Sequence, residues 1–254
     1  MALIHMTVHA TTIGKQIGIQ LIVPDHATPP YRTLYLFHGW SDNETAWLRN
    51  TNVEQLANQY NLVICMPDVG LSYYNDMTYG GNYYSFIQDE LPTTMEKHFS
   101  LSRKSEHRYV AGLSMGGFGA FKLALNEPER FRAAASFSGA LLIEELVTLQ
   151  EKNQDTERKP YMQAIFGLEQ NVTQTKNDLL YKLDQVDKQA ISLPLFQYCG
   201  TEDFLYPINQ TFRQQAEMTS LPYQYIEGPG DHTWAYWNDC LTDWLKRLED
   251  LELL

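Results

Sequence analysis

Cysteines and long apolar segments are scarce in this chain. Its 254 residues include only three cysteines, Cys65, Cys199 and Cys240, which lie far apart and among apolar neighbours. Their odd number and spacing exclude a disulfide framework and a cysteine-based metal site, so we interpret them as reduced core thiols. No apolar run approaches the roughly 18 residues of a membrane span, and no basic segment followed by an apolar one stands at the N-terminus. We therefore expect a cytoplasmic protein with no stable membrane association.

Positive charge is also scarce. Lys and Arg total 19 against 31 Asp and Glu, which gives a formal net charge of −12 and a pI near 5.0. Such a surface repels phosphate backbones and anionic lipids, so we expect no nucleic-acid partner. The remaining composition, with 44% hydrophobic and 20% charged residues, is that of a globular protein able to bury the core of one large domain.

Short apolar runs alternate with amphipathic ones along the whole chain. Strand character is found at residues 3–9, 17–23, 33–37, 62–66, 108–111, 133–137, 195–198 and 223–227. Helical spacing is found at 53–59, 92–98, 117–126, 141–150, 178–186 and 233–254. Strands separated by helices predict an α/β fold with a mostly parallel central sheet flanked by helices, in a single domain spanning 1–254.

One connection between predicted strands is unusually long. Residues 141–192 are mostly polar and carry two of the helical stretches. A connection of this length inside a compact domain is usually functional. We interpret 141–192 as a small helical cap insertion over a substrate pocket, and the alternative is a helical excursion on the surface.

The pentapeptide Gly112-Leu113-Ser114-Met115-Gly116 has the G-x-S-x-G pattern of a nucleophile elbow. An apolar run precedes it and a helical run follows it, which is the strand, turn and helix context that the pattern requires. The two glycines remove side chains where the turn is too tight for them. Ser114 is therefore the candidate nucleophile of a hydrolase or acyl transferase.

A serine hydroxyl needs a base, and the base needs a group that orients it. Of the seven histidines only His232 follows Ser114, in a glycine-rich loop after the last predicted strand, where α/β-hydrolases place their base. For the acid, Asp203 follows a late predicted strand and is preferred over its neighbour Glu202. Asp231 is a weaker candidate because it adjoins the histidine in sequence. These positions predict a Ser114, Asp203 and His232 triad.

Acyl transfer also requires donors for the oxyanion. One predicted donor is the backbone N–H of Met115, at the start of a helix whose dipole favours negative charge. The other is the N–H of Trp40, in the turn after the strand at 33–37. This turn also contains His38 and Gly39, which we include among the candidate substrate contacts. We interpret His38 as a structural residue of the turn rather than as a base.

Longer motifs surround these positions. They are FHGWSDNETAW at 37–47, YSFIQDELP at 84–92, AGLSMGGFG at 111–119, NDL at 177–179, CGTEDFL at 199–205 and GDHTWAYW at 230–237. Through them the chain resembles, nearly end to end, the esterase D-like family of α/β-hydrolases, and within it the tributyrin esterases of lactic-acid and related bacteria. The resemblance implies a serine carboxylesterase for short acyl chains, with the triad and oxyanion donors given above. Because the family includes feruloyl and cinnamoyl esterases, phenolic esters are further candidate substrates.

Two alternatives stay open. S-formylglutathione hydrolases belong to the same family, but they typically carry a serine before the glycine of the first loop, where this chain has His38. A thioesterase of that type is therefore the second choice. The third is a non-catalytic binding protein with this fold; such proteins usually lose a triad residue, and none is lost here.

Aromatic residues supply the candidate pocket. Trp234 follows the predicted base, and Tyr161 and Phe166 stand among polar neighbours in the proposed cap. An aromatic wall suits short acyl or phenolic groups. The chemistry needs no metal or organic cofactor, and no H-E-x-x-H or C-x-x-C pattern is present. We expect a small-molecule ester as the partner and, from the family and the aromatic content, a homo-oligomer such as a dimer.

Overall fold

A single eight-stranded sheet runs through the protein. The computed structural model describes all residues from 1 to 254. The strands are β1 (Ala2–Ala10), β2 (Lys15–Val23), β3 (Thr33–Phe37), β4 (Val63–Pro67), β5 (Arg108–Leu113), β6 (Ala133–Phe137), β7 (Leu195–Gly200) and β8 (Tyr223–Gly228). Their order in the sheet is β1-β2-β4-β3-β5-β6-β7-β8. The pairs β1–β2 and β2–β4 are antiparallel, and all other neighbours are parallel.

The central strands are mostly apolar because helices cover both faces of the sheet. β3, β4, β5, β6 and β7 are buried at every position. The edge strand β1 instead alternates between exposed and partly buried residues. These continuous apolar runs made the sheet predictable, and each predicted strand is confirmed within two residues at either end.

Ten α-helices flank the sheet: α1 (Ala46–Asn50), α2 (Val53–Tyr60), α3 (Tyr83–Ser85), α4 (Leu91–His98), α5 (Met115–Asn126), α6 (Ile143–Lys152), α7 (Lys159–Phe166), α8 (Leu179–Lys188), α9 (Tyr206–Ala216) and α10 (Trp234–Asp250). A π-helical turn, Phe86–Glu90, joins α3 to α4, and 3-10 helices occupy Ser105–His107 and Pro128–Arg130. None of the helices has the length and apolar character needed to cross a membrane.

Four of these helices were not predicted from the sequence. α1 and α3 are too short for helical spacing to become visible. α7 and α9 each carry a proline in the first turn. Proline is well tolerated there, but in a sequence it is easily mistaken for the end of a helix.

Two buried clusters lie on opposite faces of the sheet. Alternate residues of β3 separate into them: Tyr35 and Phe37 pack in the cluster that contains α5, and Leu34 and Leu36 pack in the one that contains α10. α5 follows directly after β5, and α10 begins shortly after β8. Both helices therefore start at the edge of the sheet where the parallel strands end.

The long connection 141–192 contains α6, α7 and α8. α7 lies against the loop after β4, where the Tyr79 N–H donates to the Ala164 carbonyl (2.8 Å) and the Thr78 N–H donates to that of Ile165 (3.1 Å). Met162 and Ile165 are buried in the same cluster as α5. The segment therefore shares the core of the domain, and its role as a cap over a pocket stays a prediction.

Candidate active site

Ser114 occupies the sharp turn between β5 and α5. Its backbone has φ 52° and ψ −117°, a conformation with positive φ that residues other than glycine rarely adopt. A hydrogen bond to β6 fixes the turn, because the Ser114 N–H donates to the Phe137 carbonyl at 2.9 Å. Strained backbone of this kind persists where the surrounding structure enforces it, and it is concentrated at functional sites.

The glycines on either side of the turn are required by close backbone contacts. A Cβ atom on Gly116 would lie 2.5 Å from the Phe37 carbonyl oxygen and 2.6 Å from that of His38. A Cβ atom on Gly112 would collide with the carbonyl of Gly116. Both glycines let the chain pass close to the end of β3, which brings the elbow beside the loop that follows β3.

The structure brings the three predicted triad residues together. His232 Nε2 lies 3.0 Å from the Ser114 hydroxyl, and His232 Nδ1 lies 2.9 Å and 3.1 Å from the two carboxylate oxygens of Asp203. A carboxylate can only accept, so Nδ1 carries the proton and Nε2 is left to accept from the serine hydroxyl. This is the geometry in which an imidazole can remove the serine proton.

The other two carboxylates near His232 are engaged elsewhere. Glu202 accepts the Gly230 N–H at 2.5 Å, and Asp231 accepts the backbone N–H of His232 at 2.7 Å. Neither is hydrogen-bonded to the imidazole. Asp203 also accepts the Leu205 N–H at 2.8 Å, which fixes its carboxylate toward the ring.

The His232 ring lies between two aromatic side chains. Phe204 approaches with its ring centroid at 4.6 Å, and Trp237 approaches edge-on at 4.8 Å. Neither residue was predicted to pack on the imidazole. The local signals were the position of Phe204 directly after the preferred acid and that of Trp237 at the end of the motif containing His232.

The loop after β3 presents a free backbone donor beside the elbow. A Cβ atom on Gly39 would lie 3.6 Å from the Ser114 Cβ, so this loop and the serine are in close contact. The Trp40 N–H and the Met115 N–H have no acceptor within the protein. Unpaired N–H donors that face a reacting carbonyl can bind an oxyanion, so both groups stay predicted donors for that role.

The buried side chain of His38 holds this loop through hydrogen bonds at both ring nitrogens. Its side chain is 1% exposed, and burial lowers its pKa below the ordinary 6.5. Nε2 accepts the Val69 N–H at 3.1 Å, which leaves Nδ1 to donate to the Gly39 carbonyl at 2.8 Å. Both nitrogens are therefore occupied. This arrangement agrees with the interpretation of His38 as a structural residue of the turn. Contact of substrate with the backbone of His38 and Gly39 stays a prediction.

A family comparison places this site in a known group of proteins. The model of the Esterase family, described as "Putative esterase", matches residues 10–248. The chain belongs to this esterase family. Together with the relatives below, this membership makes the protein a carboxylic ester hydrolase with the α/β-hydrolase fold.

Three relatives match the esterase nearly end to end. An acetyl esterase of Caldicellulosiruptor saccharolyticus is 24% identical over 98% of this chain and 100% of its own length. The structure of FphF, a fluorophosphonate-binding serine hydrolase of Staphylococcus aureus, is 33% identical with a TM-score of 0.86, over 97% of this chain and 98% of that one. An S-formylglutathione hydrolase (FrmB) from Staphylococcus aureus is also 33% identical, with a TM-score of 0.84 and the same coverage.

The predicted pocket aromatics of the esterase fall into two groups. The Trp40 ring packs on Tyr73 (5.5 Å between centroids) and edge-on against Tyr161 (5.7 Å), and Phe166 packs on the same Tyr73 (5.9 Å). Trp234 lies apart from them, against Trp47 and Trp237 on the other face of the sheet. Tyr73, which was not predicted as a pocket residue, packs against Trp40 of the loop after β3 and against Phe166 of α7.

No group of three or more His, Cys, Asp or Glu residues comes together in a way that could hold a metal ion. All three cysteines are free and buried, and burial raises the pKa of each thiol.

Proposed function

We propose that this esterase hydrolyses short-chain acyl esters through a Ser114, His232 and Asp203 triad and an acyl-enzyme intermediate. The single observation that carries the proposal is the continuous contact from the Asp203 carboxylate through the imidazole to the Ser114 hydroxyl, with distances of 2.9 Å and 3.0 Å. The unpaired N–H groups of Trp40, in the loop packed against Ser114, and of Met115, the next residue, support it further.

In the proposed first step, the Ser114 oxygen attacks the ester carbonyl carbon while His232 Nε2 takes the hydroxyl proton. The carbonyl π electrons move to its oxygen, where the two N–H groups stabilise the negative charge. Asp203 holds the ring orientation and stabilises the imidazolium. The tetrahedral intermediate then collapses, the bond to the alkoxy oxygen breaks, and the imidazolium returns its proton to the leaving alcohol.

The second step repeats the same proton transfers with water. His232 removes a proton from a water molecule, whose oxygen attacks the acyl carbon of the Ser114 ester. Collapse of the second tetrahedral intermediate releases the carboxylic acid and returns the proton to the serine oxygen. The residues themselves supply both proton transfer and charge stabilisation in this scheme.

Preference for short or phenolic acyl groups rests on the aromatic group beside the loop after β3. Trp40, Tyr73, Tyr161 and Phe166 form a wall that suits a compact apolar acyl group. In this proposal α7 of the segment 141–192 contributes Tyr161 and Phe166 to the pocket as part of a cap.

A thioesterase acting on S-formylglutathione is the second candidate, because one relative 33% identical over nearly its whole length is described as an S-formylglutathione hydrolase.

A substrate series separates the esterase from the thioesterase. We expect the highest kcat/KM within p-nitrophenyl acetate, butyrate and hexanoate, a decline toward decanoate, and measurable activity on methyl ferulate. A kcat/KM for S-formylglutathione more than about 100-fold above the best ester, equivalent to roughly 2.7 kcal/mol, would reverse the order of the two candidates.

A further inference from the structure

A fully buried lysine lies on the nucleophile helix, away from the triad. Lys122 is 0% exposed, and its Nζ donates to the Tyr74 carbonyl (2.9 Å) and to Asn75 Oδ1 (2.7 Å). It forms no salt bridge with a carboxylate, and burial lowers its pKa well below the ordinary value. Burying an amine is expensive, and an apolar side chain of similar volume would usually stabilise a core better. The residue therefore calls for an explanation other than packing.

The backbone that Lys122 holds is strained. Tyr73 and Tyr74 follow one another with φ 50° and 51°, both in the left-handed region. This conformation is unfavourable for residues other than glycine and persists only where the surrounding structure enforces it. Lys122 fixes the carbonyl side of this turn, and the Ser72 hydroxyl accepts the Tyr74 N–H at 3.1 Å on the other side.

Both tyrosines contact the loop that carries the proposed oxyanion donor. The Tyr74 hydroxyl donates to the His38 carbonyl at 2.9 Å, and its ring stacks on Phe37 at 4.5 Å. The Tyr73 ring packs on Trp40 at 5.5 Å. The two side chains of this turn thus both contact the loop, so a change in the turn would displace the loop.

We infer that Lys122 is a positioning residue for the oxyanion loop: its Nζ fixes the Tyr73–Tyr74 turn, which holds the Trp40 N–H in place beside Ser114. This inference rests on the proposed function. Lys122 does not itself touch the reacting atoms. Its contribution should appear in the rate of the chemical step, because the oxyanion forms after substrate binding and its stabilisation differs between the ground state and the transition state.

The variant Lys122→Met tests the inference, because methionine fills a similar volume without a donor. We expect kcat on p-nitrophenyl butyrate to fall by about 10- to 100-fold, somewhat less than the loss of an entire oxyanion donor, while KM changes by no more than about threefold.

Lys176→Met is the matched control. Lys176 lies 4.9 Å from the Tyr84 ring, on which Lys122 Nζ lies at 4.5 Å, but it is exposed and has no contact with the Tyr73–Tyr74 turn. We expect its kcat to equal that of the wild type.

If Lys122→Met is less stable, active-site titration separates a lower kcat from a smaller fraction of folded enzyme. Prolonged labelling with a fluorophosphonate counts the competent molecules, and kcat is then expressed per labelled site. An unchanged kcat per labelled site would overturn the inference and show that the lysine acts only on stability. If the wild type itself has neither esterase activity nor a reactive Ser114, the proposed function fails instead, so the two failures are distinguishable.

A double-mutant cycle with Tyr74→Phe tests the route of the effect. This substitution removes the hydroxyl that binds the His38 carbonyl and retains the ring. If Lys122 acts through Tyr74, the double variant should lose little more kcat than the more severe single variant. A loss equal to the product of the two single effects would show that the two residues act independently, and this outcome would contradict the proposed route.

Discussion

The carboxylate of Asp203 is fully buried at 2.9 Å from Nδ1 of His232, whose side chain is 18% exposed. The carboxylate is thus shielded from water, while part of the imidazole remains accessible. Phe204 and Trp237 cover the ring on two sides. This arrangement restricts the orientation of the imidazole and leaves the edge that carries Nε2 directed at Ser114.

Removing the charge of Asp203 should reduce catalysis while preserving the fold. In Asp203→Asn the amide can donate to Nδ1, which favours the histidine tautomer with its proton on Nε2, and this tautomer cannot accept from serine. We expect kcat to fall by about 10⁴-fold. Glu202→Gln is the matched control, because Glu202 binds the Gly230 N–H instead, and its kcat should stay within about threefold of the wild type. If the control lost more activity than Asp203→Asn, the acid would be misassigned.

The aromatic cover of His232 should contribute to rate through ring orientation. Phe204 is half exposed, so its removal should cost little stability. We expect Phe204→Ala to lower kcat on p-nitrophenyl butyrate by roughly three- to tenfold because the ring gains freedom to rotate away from the productive geometry. Steady-state kinetics and a thermal melt measure both effects. A wild-type kcat in this variant would show that Asp203 and Trp237 are sufficient to orient the imidazole.

The close backbone contacts of Gly116 at the elbow predict that replacing it destabilises the protein more than replacing Gly228 does. Gly116→Ala would place a methyl group 2.5 Å from the Phe37 carbonyl, and we expect it to lower the free energy of unfolding by about 1–3 kcal/mol and to abolish most activity. Gly228→Ala would meet no atom within 4 Å. Its free energy of unfolding should stay within about 0.5 kcal/mol of the wild type in urea titrations. Equal effects of the two substitutions would contradict the packing described for the elbow.

The buried His38 predicts a dependence of stability on pH. Burial holds the pKa of His38 below 6.5 in the native state, whereas the unfolded chain titrates near the ordinary value. Below pH 6.5 the unfolded state therefore binds more protons, so the free energy of unfolding falls as the pH drops. This one group contributes a slope of at most about 1.4 kcal/mol per pH unit, down to its native pKa.

Two variants isolate the contribution of His38 from that of other groups. His38→Gln can keep an acceptor for the Val69 N–H and does not titrate, so its urea stability should depend less steeply on pH between 6.5 and 5 than that of the wild type. Substitution of the exposed His98 by Gln should leave the slope unchanged. An identical slope in wild type and His38→Gln would show that the native state accommodates the proton at no cost.

Much of the fold and the triad could be predicted because each has a local signal. Buried parallel strands are mostly apolar runs. Ser114 directly follows β5, and Asp203 and His232 lie in the short loops after β7 and β8. Parallel strands end at one edge of the sheet, so residues separated by 118 positions, such as Ser114 and His232, could be expected to meet.

The contacts that support the loop after β3 could not be predicted, since they join segments that are distant in sequence. Lys122 appears in the sequence as one polar residue of an apolar helix, and nothing local indicates that it is buried. The left-handed backbone of Tyr73 and Tyr74 has no sequence signal either, because neither residue is a glycine or an asparagine. The packing of Trp234 against Trp47 and Trp237 could not be predicted either, since proximity to His232 in sequence does not determine the face of the sheet on which a side chain packs.

Covalent labelling at Ser114 tests the central claim most directly. The folded wild type is treated with a fluorophosphonate, and the modified residue is located by peptide mass spectrometry beside assays of p-nitrophenyl butyrate hydrolysis. We predict one label per chain on Ser114, slower labelling in His232→Ala, and a loss of kcat of about 10⁶-fold in Ser114→Ala. An active wild type labelled at another residue, or a Ser114→Ala variant within tenfold of wild-type kcat, would contradict the account.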